Sequence, residues 1–259
     1  MNHTIDDISP LITYTGASWH ESTPALDPLI SQYSNGTFTL CYTTGSYATF
    51  TFNGTAVWIF GAKRPNHGPY SVSLDNVTTK LEGVADPAVF QTPLFTATSL
   101  AADTTHTVVI TNLEIDPKFK YLDLDFITWT TSGESANTTV IHTHEAAFSY
   151  EPASAWLTNT TIKSTSSRAS AIFSFMGDEV TLYGAVGPNS GPYTVSLDNG
   201  IATAYNATKL NPTDQVPLYH ASNLGPGKHT LNITNTPASA GHVLGINYAI
   251  AAPIPTTGA

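Results

Sequence analysis

The chain has 259 residues, a length between one and two domains, and 41% of them are hydrophobic with 10% aromatic, so a sizeable core can form without crosslinks. Only 11% are charged, with nine Lys and Arg against 19 Asp and Glu for a net charge of −10. So many aromatics at such low charge argue against disorder, and an acidic chain without a basic stripe argues against nucleic acid, anionic membranes and polyanionic polysaccharides as partners.

In chain order, Met1-Asn2-His3-Thr4 shows neither a charged n-region nor an apolar h-region, and no apolar stretch reaches the ~18 residues of a membrane span. The expectation is a mature start after a removed signal and no direct membrane insertion. Thr37-Phe38-Thr39-Leu40-Cys41 alternates and places the single cysteine as a packed strand residue, with no disulfide or C-x-x-C chemistry available. Phe50/Phe52 alternate with Thr49/Thr51, Val72/Leu74 with Ser71/Ser73, and Leu122/Leu124/Phe126 with Asp123/Asp125. After the polar stretch Thr131 to Asn137 the pattern resumes, as in Leu231/Ile233 against Thr230/Asn232. Period two throughout, with turns such as Asn53-Gly54 and Asp198-Asn199-Gly200, predicts antiparallel hairpins in an all-β chain. The tail, residues 252–259, reads as a Pro/Thr linker that can lead to a stalk or anchor.

Self-comparison finds one unit twice. The stretch Gly61 to Asn76 returns as Gly184 to Asn199, an offset of 123 residues, and shares Gly-Pro-Tyr-[Ser/Thr]-Val-Ser-Leu-Asp-Asn. His106-Thr107 returns as His229-Thr230, Ile110-Thr111-Asn112 as Ile233-Thr234-Asn235, and Tyr14 to Trp19 as Tyr150 to Trp156. The first copy carries about a dozen extra residues, Leu26 to Thr37. A period this long predicts two tandem β-sandwich domains, residues 1–131 and 132–251. Sequons begin at Asn2, Asn35, Asn53, Asn76, Asn137, Asn159, Asn206 and Asn232. That density, with few Lys and many Thr, predicts a secreted glycoprotein or the extracellular part of a surface protein.

Each copy resembles a galactose-binding-like jelly roll, the superfamily of many carbohydrate-binding modules. The resemblance rests on the shared hairpin, the strand His229 to Asn235, and the closing strands Leu124-Asp125-Phe126-Ile127-Thr128-Trp129 and Gly245-Ile246-Asn247-Tyr248-Ala249-Ile250. The tandem pair resembles extracellular regions of surface proteins from mushroom-forming fungi. The resemblance implies no cofactor beyond a structural calcium, to which Asp125 would contribute; the second copy has Asn247 there.

No nucleophilic elbow or third metal ligand accompanies His142-Thr143-His144-Glu145, so that cluster reads as an exposed linker strand before a metal site. Asp123 and Asp125 read as solvated or hydrogen-bonded strand carboxylates before a glycosidase pair. His106 and His229 read as structural hydrogen-bonders, and Asp75 and Asp198 as turn residues. Sugar recognition needs an aromatic face and fixed polar groups on loops. The loop before the shared hairpin offers Lys63, Arg64, Asn66, His67 and Tyr70 in the first copy, and Asn189, Ser190 and Tyr193 in the second; Trp19 and Trp156 are either stacking platforms or edge plugs. Of these, the Asn and Tyr shared by both copies read as scaffold that builds a tight turn and caps the core before ligand contacts, whereas Lys63, Arg64 and His67 differ between copies and point to a function special to the first. The leading expectation is a non-catalytic module that binds a neutral glycan or cell-wall polysaccharide. The alternatives are an adhesive ectodomain with protein partners and a glycoside hydrolase with an inter-domain site.

Overall fold

The computed structural model describes residues 1–113, 116–132, 138–158 and 161–253. They divide into two compact units: residues 2–8 with 12–131, and residues 1 and 9–11 with 132 onward. Regular structure among them is β-strand with short 3-10 turns, as the two-residue periodicity predicts. No helix is long and apolar enough to cross a membrane.

The first unit pairs a four-stranded sheet, in the order Asn2–Asp6, Phe126–Thr130, Ala56–Lys63, Val89–Thr98, with a five-stranded sheet ordered Thr13–Thr15, Tyr47–Asn53, Thr105–Asn112, Pro69–Leu74, Val77–Glu82. Every second residue of Tyr47–Asn53 and Thr105–Asn112 is buried, so each strand gives one face to the core and one to solvent. Phe50 on one sheet meets Trp129 on the other at 5.0 Å between rings, and the Tyr70 hydroxyl crosses the layers to donate to the Leu94 carbonyl at 2.8 Å. This is a jelly-roll-type β-sandwich. A third sheet, ordered Leu122–Leu124, Thr39–Cys41, His20–Glu21, runs beside it.

The second unit follows the same plan. Leu157–Thr158, Ile162–Ser164, Leu244–Ala252, Glu179–Val186 and Thr213–Ala221 form one sheet in that order, with Thr139–His142 also pairing Leu244–Ala252. The other is ordered Phe148–Glu151, Ser170–Met176, Lys228–Asn235, Pro192–Leu197, Thr203–Asn206. Tyr193 donates to the Leu218 carbonyl at 2.6 Å, as Tyr70 does to Leu94.

The shared hairpin turns on residues with positive φ. Asp75 (47°) and Asn76 (70°) join strands whose register closes at Leu74 and Val77, and Asp198 (50°) and Asn199 (58°) begin the corresponding turn. Asp and Asn tolerate this region because their short side chains bond locally. Asp75 Oδ1 accepts from the Thr107 N–H at 2.9 Å while His106 Nδ1 lies 2.5 Å from Oδ2; Asp198 does the same with Thr230 (2.8 Å) and His229 (2.7 Å). The two histidines thus tie a turn to the neighbouring strand, the structural role their parity predicts. Gly61 and Gly184 allow another close approach: a Cβ there would lie 2.2 Å from the Asp123 and Gly245 carbonyl oxygens respectively. Cys41 is fully buried, and burial pushes its thiol up to about 12.

Candidate functional site

The extra segment of the first unit, residues 26–37, folds as two 3-10 turns, Ile30–Gln32 and Ser34–Gly36. Its apolar side chains Ile30 and Tyr33 pack with Phe38 and Ala62. Its polar groups land on carboxylates: the Tyr33 hydroxyl donates to Asp123 Oδ2, the Ser34 N–H to Asp125 (3.1 Å), and Asn35 Nδ2 and Thr37 Oγ1 to Asp6 Oδ2 (3.2 and 3.1 Å). Asp27 of the same segment accepts from Arg64. The segment is therefore a strap fastened across the edge of the sandwich.

Beneath the strap lies a cavity of about 360 Å³. Asp27, Arg64, Asn66, His67 and Asp123 supply its polar lining, while Phe38, Leu40, Tyr42 and Tyr121 supply apolar and aromatic surface. Asp123 is only 1% exposed, and a buried carboxylate needs compensation. It has Tyr33, His67 Nε2 at 2.8 Å and Arg64 Nη1 at 3.8 Å. Burial disfavours the Arg64 charge, but Asp27, Tyr33 and Asp123 outweigh it and hold the guanidinium above its ordinary pKa. Burial, then the Asp123 charge, pushes the Tyr33 phenol well above its usual range, so it remains a donor. His67 Nδ1 lies 3.0 Å from Asn66 Oδ1, which fixes the ring. His20 stacks on Tyr42 with centroids 5.5 Å apart. The result is a recess with fixed donors, fixed acceptors and an aromatic wall, the combination that orients a polyhydroxylated ligand.

The second unit provides an internal comparison, because strand pairing identifies which residue takes each place. Cys41 pairs Leu122 as Ser164 pairs Leu244, so Thr165 stands for Tyr42 and Gly245 for Asp123. The bridge between His67 and Tyr121 is matched by that between Ser190 and Val243. The Arg64 N–H bonds to the Gly83 carbonyl as the Gly187 N–H bonds to that of Ala207. His20 pairs Leu40 as Leu157 pairs Lys163. The second unit thus carries Leu157, Thr165, Gly187, Ser190, Val243 and Gly245 where the first has His20, Tyr42, Arg64, His67, Tyr121 and Asp123, and lacks the strap.

Of the residues predicted from sequence, the cavity gathers Arg64, Asn66 and His67. Lys63 is half-buried on its strand and does not line the cavity. Tyr70 and Tyr193, candidates for ligand contact with scaffold the favoured reading, are core: each is fully buried and hydrogen-bonded across the sandwich. Trp156, 6% exposed with its ring 5.1 Å from Tyr150, is an edge plug and no stacking platform. Trp19 is half-buried, 4.8 Å from Tyr14, and donates from its indole N–H to the Thr15 carbonyl. Ser190 is buried against the Ala185 carbonyl, and Asn189 is exposed on the same loop. Of the two alternatives for Asp123 and Asp125, the structure shows the hydrogen-bonded one: both are buried and accept from Tyr33 and Ser34 respectively. His142 ends a strand, and its N–H donates to Glu145 at 2.7 Å, so Glu145 closes a turn there. Asp125 accepts from Ser34, whereas Asn247 donates to Thr161 (2.9 Å) and accepts from the Gln215 N–H (3.2 Å). A calcium held alike in both units does not fit that pair.

Among the sequons, Asn35, Asn76, Asn206 and Asn232 are exposed and Asn53 is half-buried; Asn137 and Asn159 lie outside the described residues. Sequence reasoning missed Asp27, Tyr33 and the roles of Asp123, Tyr42, Tyr121 and His20. The available signal was that the strap and the copy-specific Arg64 and His67 occur in the same half.

No family model matches the chain. Among solved structures, the ANX1 ectodomain from Arabidopsis thaliana matches over 97% of this chain and 96% of its own, at 8% identity and a TM-score of 0.31. A family two carbohydrate esterase from Cellvibrio japonicus matches over 51% of this chain and 34% of its own, at 17% identity and a TM-score of 0.35. In sequence, the chain is 27% identical over 237 residues to the A type blood alpha-D-galactosamine galactosaminidase of Flavonifractor plautii, covering 89% of this chain and 21% of that protein. The chain thus spans about a fifth of that relative's length.

Proposed function

We propose that the first unit is a non-catalytic glycan-binding module whose ligand enters the cavity under the strap, and that the second unit is a second copy of the same fold without the site. One observation carries this reading: every charged or imidazole side chain of the cavity is absent from the corresponding place in the second unit, while the scaffold bonds of the two units match. Scaffold needs would have kept such residues in both copies. Burying a charged cluster is costly for stability, so its presence in one copy favours a ligand. The galactosaminidase likeness supports a sugar as that ligand. A binding role is favoured over hydrolysis because Asp27 and Asp123 are each already engaged by Arg64, and Asp123 also by Tyr33 and His67. Neither is free to act as acid or nucleophile. The exposed sequons support an extracellular location for the protein.

Calorimetry with a panel of oligosaccharides tests the reading. Arg64→Gly with His67→Ser, the second unit's own residues, is expected to weaken binding about tenfold to hundredfold, as loss of charge-assisted hydrogen bonds does. The variant is expected to melt at a lower temperature, because Asp123 loses two of its three partners, so binding is compared well below that temperature, where its circular dichroism matches the parent's. Equal affinity in the double variant, or no binding by the parent at millimolar sugar, defeats the proposal.

A further inference from the structure

One row of the third sheet runs through the cavity. Leu40 stands directly opposite Asp123 on one neighbouring strand and directly opposite His20 on the other, so the three side chains share a face, and all three line the cavity. Side chains paired in this way are about 5 Å apart at Cβ. A saturated hydrocarbon surface therefore lies one strand spacing from the carboxylate that Arg64 and His67 surround. Leu40 is half-buried: it packs on the core cluster of Ile30, Tyr33, Phe38 and Ala62 and still reaches the cavity. The strap brings a second leucine to the same space, Leu26, which is 70% exposed. Its backbone is tied down. The Leu26 and Asp27 N–H groups both donate to the Thr23 carbonyl, at 2.9 and 3.0 Å, and Asp27 accepts from the Leu29 N–H at 2.8 Å while its other carboxylate oxygen holds Arg64. Both leucines are special to this unit, since Lys163 takes the place of Leu40 in the second and no strap supplies a Leu26 there. The aromatic rings of Tyr42 and Tyr121, set at 74° to each other, offer flat faces that suit the C–H side of a sugar ring. A leucine side chain is branched and has no flat face; it complements a compact apolar group, and hydroxyl groups leave such a contact unused.

We propose that the sugar received in this cavity carries a methyl group, from an acetamido substituent or a deoxy carbon, which packs against Leu40 and Leu26 while a neighbouring hydroxyl meets Asp123. This rests on the glycan-binding reading and narrows its ligand from any sugar to one that presents a methyl beside a hydroxyl.

The test is isothermal calorimetry on the full chain. The probes are galactose and glucose, their 6-deoxy forms, and the 2-acetamido and 2-formamido forms of each. The acetamido and 6-deoxy arms separate the two sources of the methyl, and the formamido sugars keep the amide but lack the methyl. At least one methyl-bearing sugar is expected to bind about fourfold to tenfold more tightly than its methyl-free counterpart, as burial of one such group gives. That ratio is expected to fall below about twofold in Leu26→Ser with Leu40→Thr; comparing two ligands on one protein cancels any general weakening. Leu26→Ser alone alters an exposed residue and is expected to lower the ratio part of the way, which covers the case of a double variant that folds poorly. Methyl-bearing sugars binding no better than their counterparts, or a preference undiminished in the variants, overturns this inference alone. Failure of every sugar to bind overturns it together with the reading beneath it.

Discussion

At the scale of single residues, two carboxylates behave in opposite ways for reasons visible in their surroundings. Partial desolvation acts to raise the Asp198 pKa, but the His229 ring and the Thr230 N–H outweigh it and bring the carboxyl below its ordinary range. Desolvation likewise lowers His229, while Asp198 and the Gly225 carbonyl raise it further, leaving the imidazole above its usual value. The imidazole contributes stability in full below about pH 6.5 and loses it as pH rises through its folded value; the carboxylate contributes above about pH 4 and loses it as pH falls. The pair therefore stabilises most between those limits. Asp198→Asn is expected to bring the His229 titration, followed by NMR, down toward the free imidazole value; an unmoved midpoint would mean Asp198 is not its cause. Asp125 runs the other way. Burial, with Asp6 and Asp123 adding, pushes it up to about 7 against the opposing Ser34 N–H. Its contribution is complete below about pH 4 and falls away as pH climbs through 7. Replacing Asp125 with Asn, the side chain of Asn247 in the second unit, is expected to raise the melting temperature about 3–6 °C at pH 8 and change it little at pH 4.

At the scale of elements, the strap is what turns a generic sandwich edge into a recess. Besides the packing of Ile30 and Tyr33, its position depends on carboxylates far along the chain, with Tyr33 and Asp123 separated by 90 residues. Sequence periodicity locates strands because alternation is local; it says nothing about a polar segment whose partners lie on other strands. Hence Leu26 to Thr37 was legible as an insertion but its partners were not, and for Asp123, in an alternating run, solvation and hydrogen bonding stayed open until the Tyr33 hydroxyl was seen to donate to it. Tyr33→Phe removes the donor to a buried carboxylate and an acceptor for Arg64, and is expected to lower stability by about 1–3 kcal/mol in chemical denaturation. A sugar-binding loss exceeding that expected from partial unfolding would show that the strap also sets cavity shape.

For the whole molecule, the all-β architecture, the shared hairpin, the structural histidines and the buried cysteine were legible, since each follows from local spacing or turn chemistry. Tyr70 and Tyr193 are scaffold and not ligand contacts for a physical reason. A tyrosine beside Gly-Pro looks like loop furniture, but strand parity buries the ring and leaves the hydroxyl to satisfy a carbonyl of the facing sheet. The aromatic wall was hidden for the complementary reason: Tyr42 and Tyr121 are far apart in sequence and meet only once Leu122–Leu124 pairs with Thr39–Cys41.

The matched hydrogen-bonding plan of the two halves has a practical reach. A half that keeps the layout but has Gly, Ser and Thr at those places is a template already present in the same polypeptide. Writing Tyr, Arg, His and Asp onto it, together with a grafted loop, would ask how few changes give it the binding proposed for the first half, with that half serving as the built-in standard.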